Sequence, residues 1–345
     1  MLFRSSHSPL GPFVRQASNP FSAKPGGFIT GAGHGSTIAD RYGNWWHAST
    51  MRISVNYDFE RRVGLFPAGF DKDGVLYCNQ NFSDYPHRIP AGKFDAASQQ
   101  PEWMLLSYKK PVTASSTAEN SSPELAVNED CRSWWSAAGT EPGEWLCVDL
   151  GKDSDVRAIQ VNMADEKLVV DFPADSYGDD RQTRHIETRP QISHYTVETS
   201  VNGADWTTRE TVARECSNGY YEYADGIRAR YVRVTGGELP YGQLLRISGL
   251  RVFGNGEGPK PAQAEAAGAR VDALDATITW KHIENAQGCN VRYGVAPNKL
   301  YLSWLVYDAD EVTLSTLTAG QEYYVCVDSF NENGITPGKI FKLEG

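Results

Sequence analysis

Gly31-Ala-Gly-His-Gly-Ser-Thr37, then Asn44-Trp-Trp-His47, then Phe59-Glu-Arg-Arg-Val-Gly-Leu-Phe-Pro-Ala-Gly69 are the runs on which the reading of this chain turns. Tyr42-Gly43-Asn44 and Asp71-Lys72-Asp73-Gly74 supply the residue types that close tight turns between strands. The pattern predicts strands over Gly35–Ile38, Trp45–Val55, Val63–Phe70 and Val75–Gln80, forming one four-stranded antiparallel sheet. Similar short alternating runs, punctuated by Gly, Asn and Asp, fill the remaining sequence, and no stretch of a dozen residues keeps a 3.6-residue apolar period. The expected fold class is all-β.

The chain has 345 residues, room for two or three domains that each bury a core. Charged residues make up 22% and apolar residues 40%, ordinary for a folded protein, whereas 11% aromatics with nine Trp and 17 Tyr is a composition common among sugar-handling proteins. A formal charge of −10 and the absence of a basic run exclude nucleic acid, whose binding rests on Lys and Arg neutralising phosphates. No window approaches the roughly 18 consecutive apolar residues of a membrane span. Met1-Leu-Phe-Arg-Ser-Ser-His7 lacks the apolar core of a secretory signal and runs directly into sequence that reads as mid-domain, so Met1 is not expected to be the natural start of a complete domain. The six Cys, at 78, 131, 147, 216, 289 and 326, include no CxxC pair, which argues against a zinc site and a disulfide-dense scaffold. Cys289 and Cys326 either pair across strands of the last segment or stay as buried thiols.

Composition changes at Pro90-Ala-Gly-Lys93 with Ser98-Gln-Gln-Pro101, and at Gly254-Asn-Gly-Glu-Gly-Pro-Lys-Pro261, mark two boundaries. They divide the chain into segments 1–92, 104–254 and 262–343.

The opening runs resemble the last blade of the five-bladed β-propeller of glycoside hydrolase family 43. Ser8-Pro-Leu-Gly-Pro-Phe13 resembles the turn by which that family's chain leaves one blade for the next, so residues 1–92 are expected to hold the last blade and the end of the preceding one, with the N-terminal blades missing. An isolated blade has two large faces that its neighbours would cover. The resemblance implies inverting hydrolysis by an acid and a base carboxylate roughly 6.5–9.5 Å apart with water between them, plus a third acidic residue, all on earlier blades. No catalytic residue is therefore assigned here. Asp58, Glu60, Asp71 and Asp73 read as solvated turn residues. The carry-over is His34, matching the histidine of a Gly-His-Gly-Ser signature that helps hold a calcium ion or water cluster on the propeller axis, with Gly33 and Gly35 allowing close backbone approach. A second is Arg61, preferred over Arg62 and Arg52 as the guanidinium that clamps the sugar. Trp45 and Trp46 alternate sides, so one packs between blades while the other, taken as Trp46, can face substrate.

Lys110-Pro-Val-Thr-Ala-Ser-Ser-Thr117, Leu125-Ala-Val-Asn-Glu-Asp-Cys-Arg-Ser-Trp-Trp-Ser136, Glu144-Trp-Leu-Cys-Val-Asp-Leu-Gly151, Ala229-Arg-Tyr-Val-Arg-Val234 and Ile247-Ser-Gly-Leu-Arg-Val-Phe253 resemble the factor 5/8 type C, or discoidin, domain. That resemblance implies a β-sandwich also used as a carbohydrate-binding module. It places a possible structural calcium near Asn128 and Asp130, where Asn128-Glu129-Asp130 replaces the usual Asp-Gly-Asn. The insert from Asp171 to His185 offers Tyr177, Arg181, Arg184 and His185 either to a sugar or to packing between domains. Trp134, Trp135, Trp145 and Trp206 are expected in the core.

Ala276-Thr-Ile-Thr-Trp280, Cys289-Asn-Val-Arg-Tyr-Gly294 and Leu317-Thr-Ala-Gly-Gln-Glu-Tyr-Tyr-Val-Cys-Val327 resemble a fibronectin type III sandwich, with Trp280 as core tryptophan and Tyr323-Tyr324 at the tyrosine corner. The expected role is that of a spacer.

Two functions follow. The first is the C-terminal portion of a secreted, periplasmic or cell-surface family 43 glycosidase acting on arabinose- or xylose-containing plant polysaccharide. The second is a non-catalytic carbohydrate-binding or adhesive protein working through the discoidin-like segment.

Overall fold

The computed structural model describes residues 2–52, 61–164, 166, 189–215, 218–315 and 317–344. The described residues fall into two units, one within residues 2–52, 61–108 and 253–344, the other within residues 109–252. The described residues are almost entirely strand and turn. The all-β class is therefore observed.

The first unit opens on β1 (Thr30–Ala39), β2 (Trp45–Arg52), β3 (Arg61–Phe70) and β4 (Leu76–Cys78), an antiparallel sheet in that order. The first turn forms because Asp40 Oδ1 accepts from the Tyr42 and Asn44 amides at 2.8 and 2.9 Å, while Gly43 takes a positive φ of 79°. Burial opposes the Asp40 charge, but hydrogen bonds from Trp46 and Asn44 hold its carboxyl at about 2. The third hairpin repeats the device: Asp71 Oδ1 accepts from the amides of Asp73 and Val75, both at 2.9 Å, and Gly74 has φ 74°. One face of the sheet packs Ala32, Met51, Phe66 and Cys78 against Phe21 of the preceding chain. The other carries exposed Ile38, Val63 and Leu65. The chain ahead of the sheet is tied down by a buried ion pair, Lys24 Nζ to Asp84 Oδ1 at 2.6 Å, with Asp84 Oδ2 also accepting from Phe28 N.

The second unit holds β5 (Val112–Ala114), β6 (Trp135–Ser136), β7 (Trp145–Met163), β8 (Ser193–Ser200), β9 (Thr207–Arg214), β10 (Gly219–Gly236) and most of β11 (Arg246–Asn255). Their order is β9-β8-β10-β7-β11, with β5 beside β7 and β6 beside β11. The two longest strands, β7 and β10, pair antiparallel with register shifts after Asp149 and Val156. Such irregularities let a long strand bend and serve both layers of a β-sandwich. Alternate residues Leu146, Val148, Val232 and Val234 point inward with Trp135, Ile159 and Ile247, all fully buried.

The third segment, in the first unit, is built of two sheets. β12 (Ala266–Arg270), β13 (Ala276–Trp280) and β16 (Glu311–Leu314) form one; β14 (Gly288–Gly294), β15 (Leu302–Tyr307), β17 (Tyr324–Asn331), β18 (Gly334–Thr336) and β19 (Ile340–Lys342) form the other. Trp280, Tyr293 and Tyr323 lie in the core between them, and the Tyr323 hydroxyl accepts from Thr318 N at 3.1 Å. Cys289 faces Ser329 and Cys326 faces Arg292, so the two thiols are not cross-strand partners, and both are free. Burial pushes each of them up to about 12, which keeps them protonated and unreactive at neutral pH.

This segment is not a detached spacer. Lys299 Nζ lies 2.8 Å from Asp71 Oδ2 and 2.7 Å from Asp73 Oδ2, and Tyr301 donates to Asp71 Oδ2 at 2.7 Å while stacking on Tyr77. Tyr307 and Tyr85 join through their hydroxyls at 2.9 Å, and Asn290 donates to Asn81. Asp71, 10% exposed and bound to partners some 230 residues away in sequence, is therefore not a solvated turn residue, whereas Asp73 is exposed as expected, although it too pairs with Lys299. Asp58 and Glu60 lie outside the described residues.

Burial works against the Asp71 charge, yet Lys299 and Tyr301 hold its carboxyl at about 2, below the usual value near 4. A depressed carboxylate contributes stability that is present above its unfolded pKa and lost as pH falls toward the folded one. Thermal melts should therefore show a steep loss of stability between about pH 4 and pH 2. Asp71→Asn should flatten that limb and cost about 2 kcal/mol near neutrality, the scale of hydrogen bonds to a charged group; an unchanged acid limb would refute the assignment.

Candidate functional site

The residues singled out on the first sheet do not converge. Trp46 sits opposite Pro67 on β3, whereas Arg61 sits opposite Arg52 at the other end of β2. Six residues of strand put about 20 Å between those ends. His34 lies near the Arg52 end, where the β1–β2 register shifts between Gly33 and Ser36; it is exposed and has a left-handed φ of 47°. Gly35 is required for a reason other than an axial site, because a Cβ there would stand 2.4 Å from Ala48 O and 2.6 Å from the His47 ring. His47 is the buried histidine of this sheet, packed edge-on against Phe21, with Nδ1 2.9 Å from Thr37 Oγ1. Burial depresses its pKa, so it stays neutral. A Cβ at Gly33 would meet open space.

Among the described residues no group of three or more His, Cys, Asp or Glu is arranged to hold a metal ion. His34 is part of no such group among the described residues, nor are Asn128 and Asp130, whose side chains are engaged within their own loop. Asn128 Nδ2 donates to Ser133 Oγ, Asn128 Oδ1 accepts from Asp130 N, and Asp130 Oδ1 accepts from Arg132 N. Glu129 between them adopts φ 63°, the conformation for which glycine is usual, and turns inward. Both of its oxygens accept from Arg251, at 2.8 and 2.9 Å, and both side chains are 2% exposed. The positive charge of this loop is a guanidinium.

The remaining described carboxylates in the flanks of the first sheet have partners of their own. Asp84 pairs with Lys24, Asp95 caps Ala97 N, and Glu102 pairs with Arg88. Among the described residues of this region no two carboxylates stand ready as acid and base.

The second unit offers a different arrangement. Trp135 is fully buried, but Trp134, Trp145 and Trp206 are only half-buried, contrary to the core role expected for all four. Trp206, in the turn between β8 and β9, lies under the Arg233 guanidinium, 3.9 Å from its ring centroid. Arg233 Nε donates to Glu198 Oε2 at 2.8 Å, and Thr235 Oγ1 donates to the same oxygen at 2.8 Å. Burial opposes the Glu198 charge, yet these two donors hold its carboxyl below the usual range. Trp145 faces Thr235 across the β7–β10 ladder. The surface thus combines indoles with a fixed guanidinium, carboxylate and hydroxyl, an array that can stack on and hydrogen-bond a polar ring but carries no nucleophile and base. Trp206 and Arg233 are adjacent only through strand pairing, and no sequence spacing marks them. The insert bearing Tyr177, Arg181, Arg184 and His185 lies outside the described residues.

Residues 125–234 match the family model F5/F8 type C, described as a NedA-like, galactose-binding domain. This segment is a factor 5/8 type C domain. No curated protein sequence matches the chain. Among solved structures, a glycoside hydrolase aligns at 19% identity over 72% of this chain and 53% of its own, with a TM-score of 0.37. The chain spans about half the length of that protein. Chitosan-binding module 1 from a chitosanase/glucanase of Paenibacillus sp. IK-5 aligns at 20% identity over 44% of this chain and 99% of its own, TM-score 0.33. A Streptococcus pneumoniae fucose-binding module aligns at 20% over 47% and 99%, TM-score 0.31.

The Glu129–Arg251 pair gives this domain a sharp test. Glu129→Ala strands a buried guanidinium and should lower stability by about 3–5 kcal/mol, while the double replacement Glu129→Met with Arg251→Met should recover most of it. Chemical denaturation of the three chains measures both. A single variant as stable as the parent would contradict the burial of the pair.

Proposed function

We propose that this chain is a carbohydrate-binding, non-catalytic portion of a glycoside hydrolase, with its factor 5/8 type C domain holding the sugar. The observation that carries the reading is the family match over 125–234 to a galactose-binding type of domain, on a sandwich that keeps indoles half-exposed beside a fixed Arg233–Glu198 pair. The family 43 reading of residues 1–92 rests on the sequence resemblance and is in keeping with a four-stranded antiparallel sheet. On that reading the acid and base belong to other blades, and the substrate is arabinose- or xylose-containing polysaccharide met outside the cell. The third segment is read as fibronectin type III-like, on its two sheets and the Tyr323–Thr318 bond. The described carboxylates of the first sheet, spent on turns and ion pairs, also suit the alternative of a binding or adhesion protein with no catalytic partner.

Isothermal titration of the full chain with galactose, arabinose, xylose and arabinoxylan should give saturable binding to at least one. Trp206→Ala should weaken it about tenfold, the worth of a lost stacking and cation–π surface. Binding untouched by this change would move the site to another part of the domain, and no binding to any sugar would sink the reading. Aryl arabinofuranosides and xylosides should not be hydrolysed; turnover abolished by His34→Ala or Arg61→Ala would overturn the non-catalytic assignment.

A further inference from the structure

Beside Trp46 the first unit encloses a cavity of about 420 Å³. That volume falls within the range of about 300–1,000 Å³ usual for small-ligand sites. Trp46 and Pro67 form one wall, and Leu65 and Ile89 stand at its edge, 59% and 43% exposed. Trp46 is held in place by its Nε1 bond to Asp40 Oδ2 at 3.1 Å and by Phe94 packed against its ring. The rest of the wall holds Phe66 and His87 and the amide and hydroxyl side chains of Asn79, Asn81, Gln99, Ser83 and Tyr85.

The polar groups of that wall are already oriented. Asn79 Nδ2 donates to Ala96 O and Asn79 Oδ1 accepts from Asn81 N, so the amide cannot rotate freely. Asn81 Oδ1 accepts from Asn290 Nδ2 at 3.1 Å, which fixes that amide too. Ser83 Oγ and His87 Nδ1 are buried in the wall without a hydrogen-bond partner. Among the described lining residues none is Lys, Arg, Asp or Glu. Burial depresses the His87 pKa, and its Nε2 is 3.0 Å from Phe82 O, so the imidazole is neutral too.

An anion would find no cation here, a cation no carboxylate, and an aliphatic chain would leave amides desolvated and unpaired. A ligand with one apolar ring face and a rim of uncharged donors and acceptors satisfies both walls. We propose that the cavity beside Trp46 is a saccharide-binding site for an uncharged pyranose or furanose unit, separate from the factor 5/8 type C domain. The sugar face lies on the indole and its hydroxyls reach the amides of Asn81 and Gln99. The site binds without reacting, since no carboxylate lines it.

Hydrogen–deuterium exchange on the full chain, with and without saturating xylose, arabinose, galactose or N-acetylglucosamine, reads the two regions separately. At least one sugar should slow exchange over residues 79–89 and 95–99. Leu65→Trp, which adds bulk at the edge on a largely exposed position and removes no hydrogen bond, should abolish that slowing while leaving any effect over residues 193–214 intact. Gln99→Leu should weaken it at least severalfold. No slowing with any of the four sugars, or slowing that survives Leu65→Trp, overturns the proposal. Protection of 79–89 that appears without sugar and grows with protein concentration, together with a dimer in sedimentation, also overturns it in favour of a second copy covering the cavity.

Discussion

The Asp71 carboxylate accepts from two backbone amides of its own hairpin with one oxygen and from Lys299 and Tyr301 with the other. The first pair closes the β3–β4 turn; the second attaches the third segment to that turn. Neither half could be given up cheaply. Without the amides the turn would lose its geometry, and without Lys299 and Tyr301 a carboxylate 10% exposed would sit desolvated and unpaired. Around it Tyr301 stacks on Tyr77 and Tyr85 meets Tyr307, so the hydrogen bonds orient an interface whose area is aromatic. Position comes from the polar groups and adhesion from the rings.

Local chemistry was legible in the sequence, and distant chemistry was not. Tyr42-Gly43-Asn44 and Asp71-Lys-Asp-Gly74 announce turns through residue types that act locally, although the part Asp40 plays in closing the first shows only in the structure. The four strands followed from those turns, but β1 runs over Thr30–Ala39, more than twice the expected Gly35–Ile38. The partners of Asp71 are some 230 residues away and that of Glu129 is 122 residues away, so no spacing signals either pair. A glutamate where related loops carry glycine was a visible oddity. Its meaning required knowing that φ is positive there and that Arg251 faces it.

Tryptophan was misjudged in an instructive way. All four Trp of the second segment read as core, because a large apolar ring in a strand-rich segment is usually buried. Only Trp135 is, its Nε1 finding Ser116 O inside the domain. Trp206 sits in a turn, where one face of the ring is covered by a guanidinium rather than by aliphatic neighbours. Sequence patterning detects alternation along one strand, but it cannot detect that Arg233, on a different strand, is the neighbour. The same limit separated Trp46 from Arg61. Both lie on well-read strands, and only the register shows that they occupy opposite ends.

In the first sheet the described carboxylates are structural groups, and one physical circumstance makes them so. Catalytic carboxylates need oxygens left partly unsatisfied and a pKa near the working pH, whereas Asp40 and Asp71 of the first sheet are hydrogen-bonded through both oxygens and pulled down to about 2. Such groups neither lend nor take a proton at neutral pH. What they do is freeze backbone and side chains: Asp40 fixes the Trp46 indole, and Asp71 fixes the segment whose Asn290 orients Asn81. A preorganised surface binds with less ordering cost than a mobile one. Asp40 and Asp71 thus act on the surface around Trp46 indirectly, by holding uncharged aromatic and amide groups still.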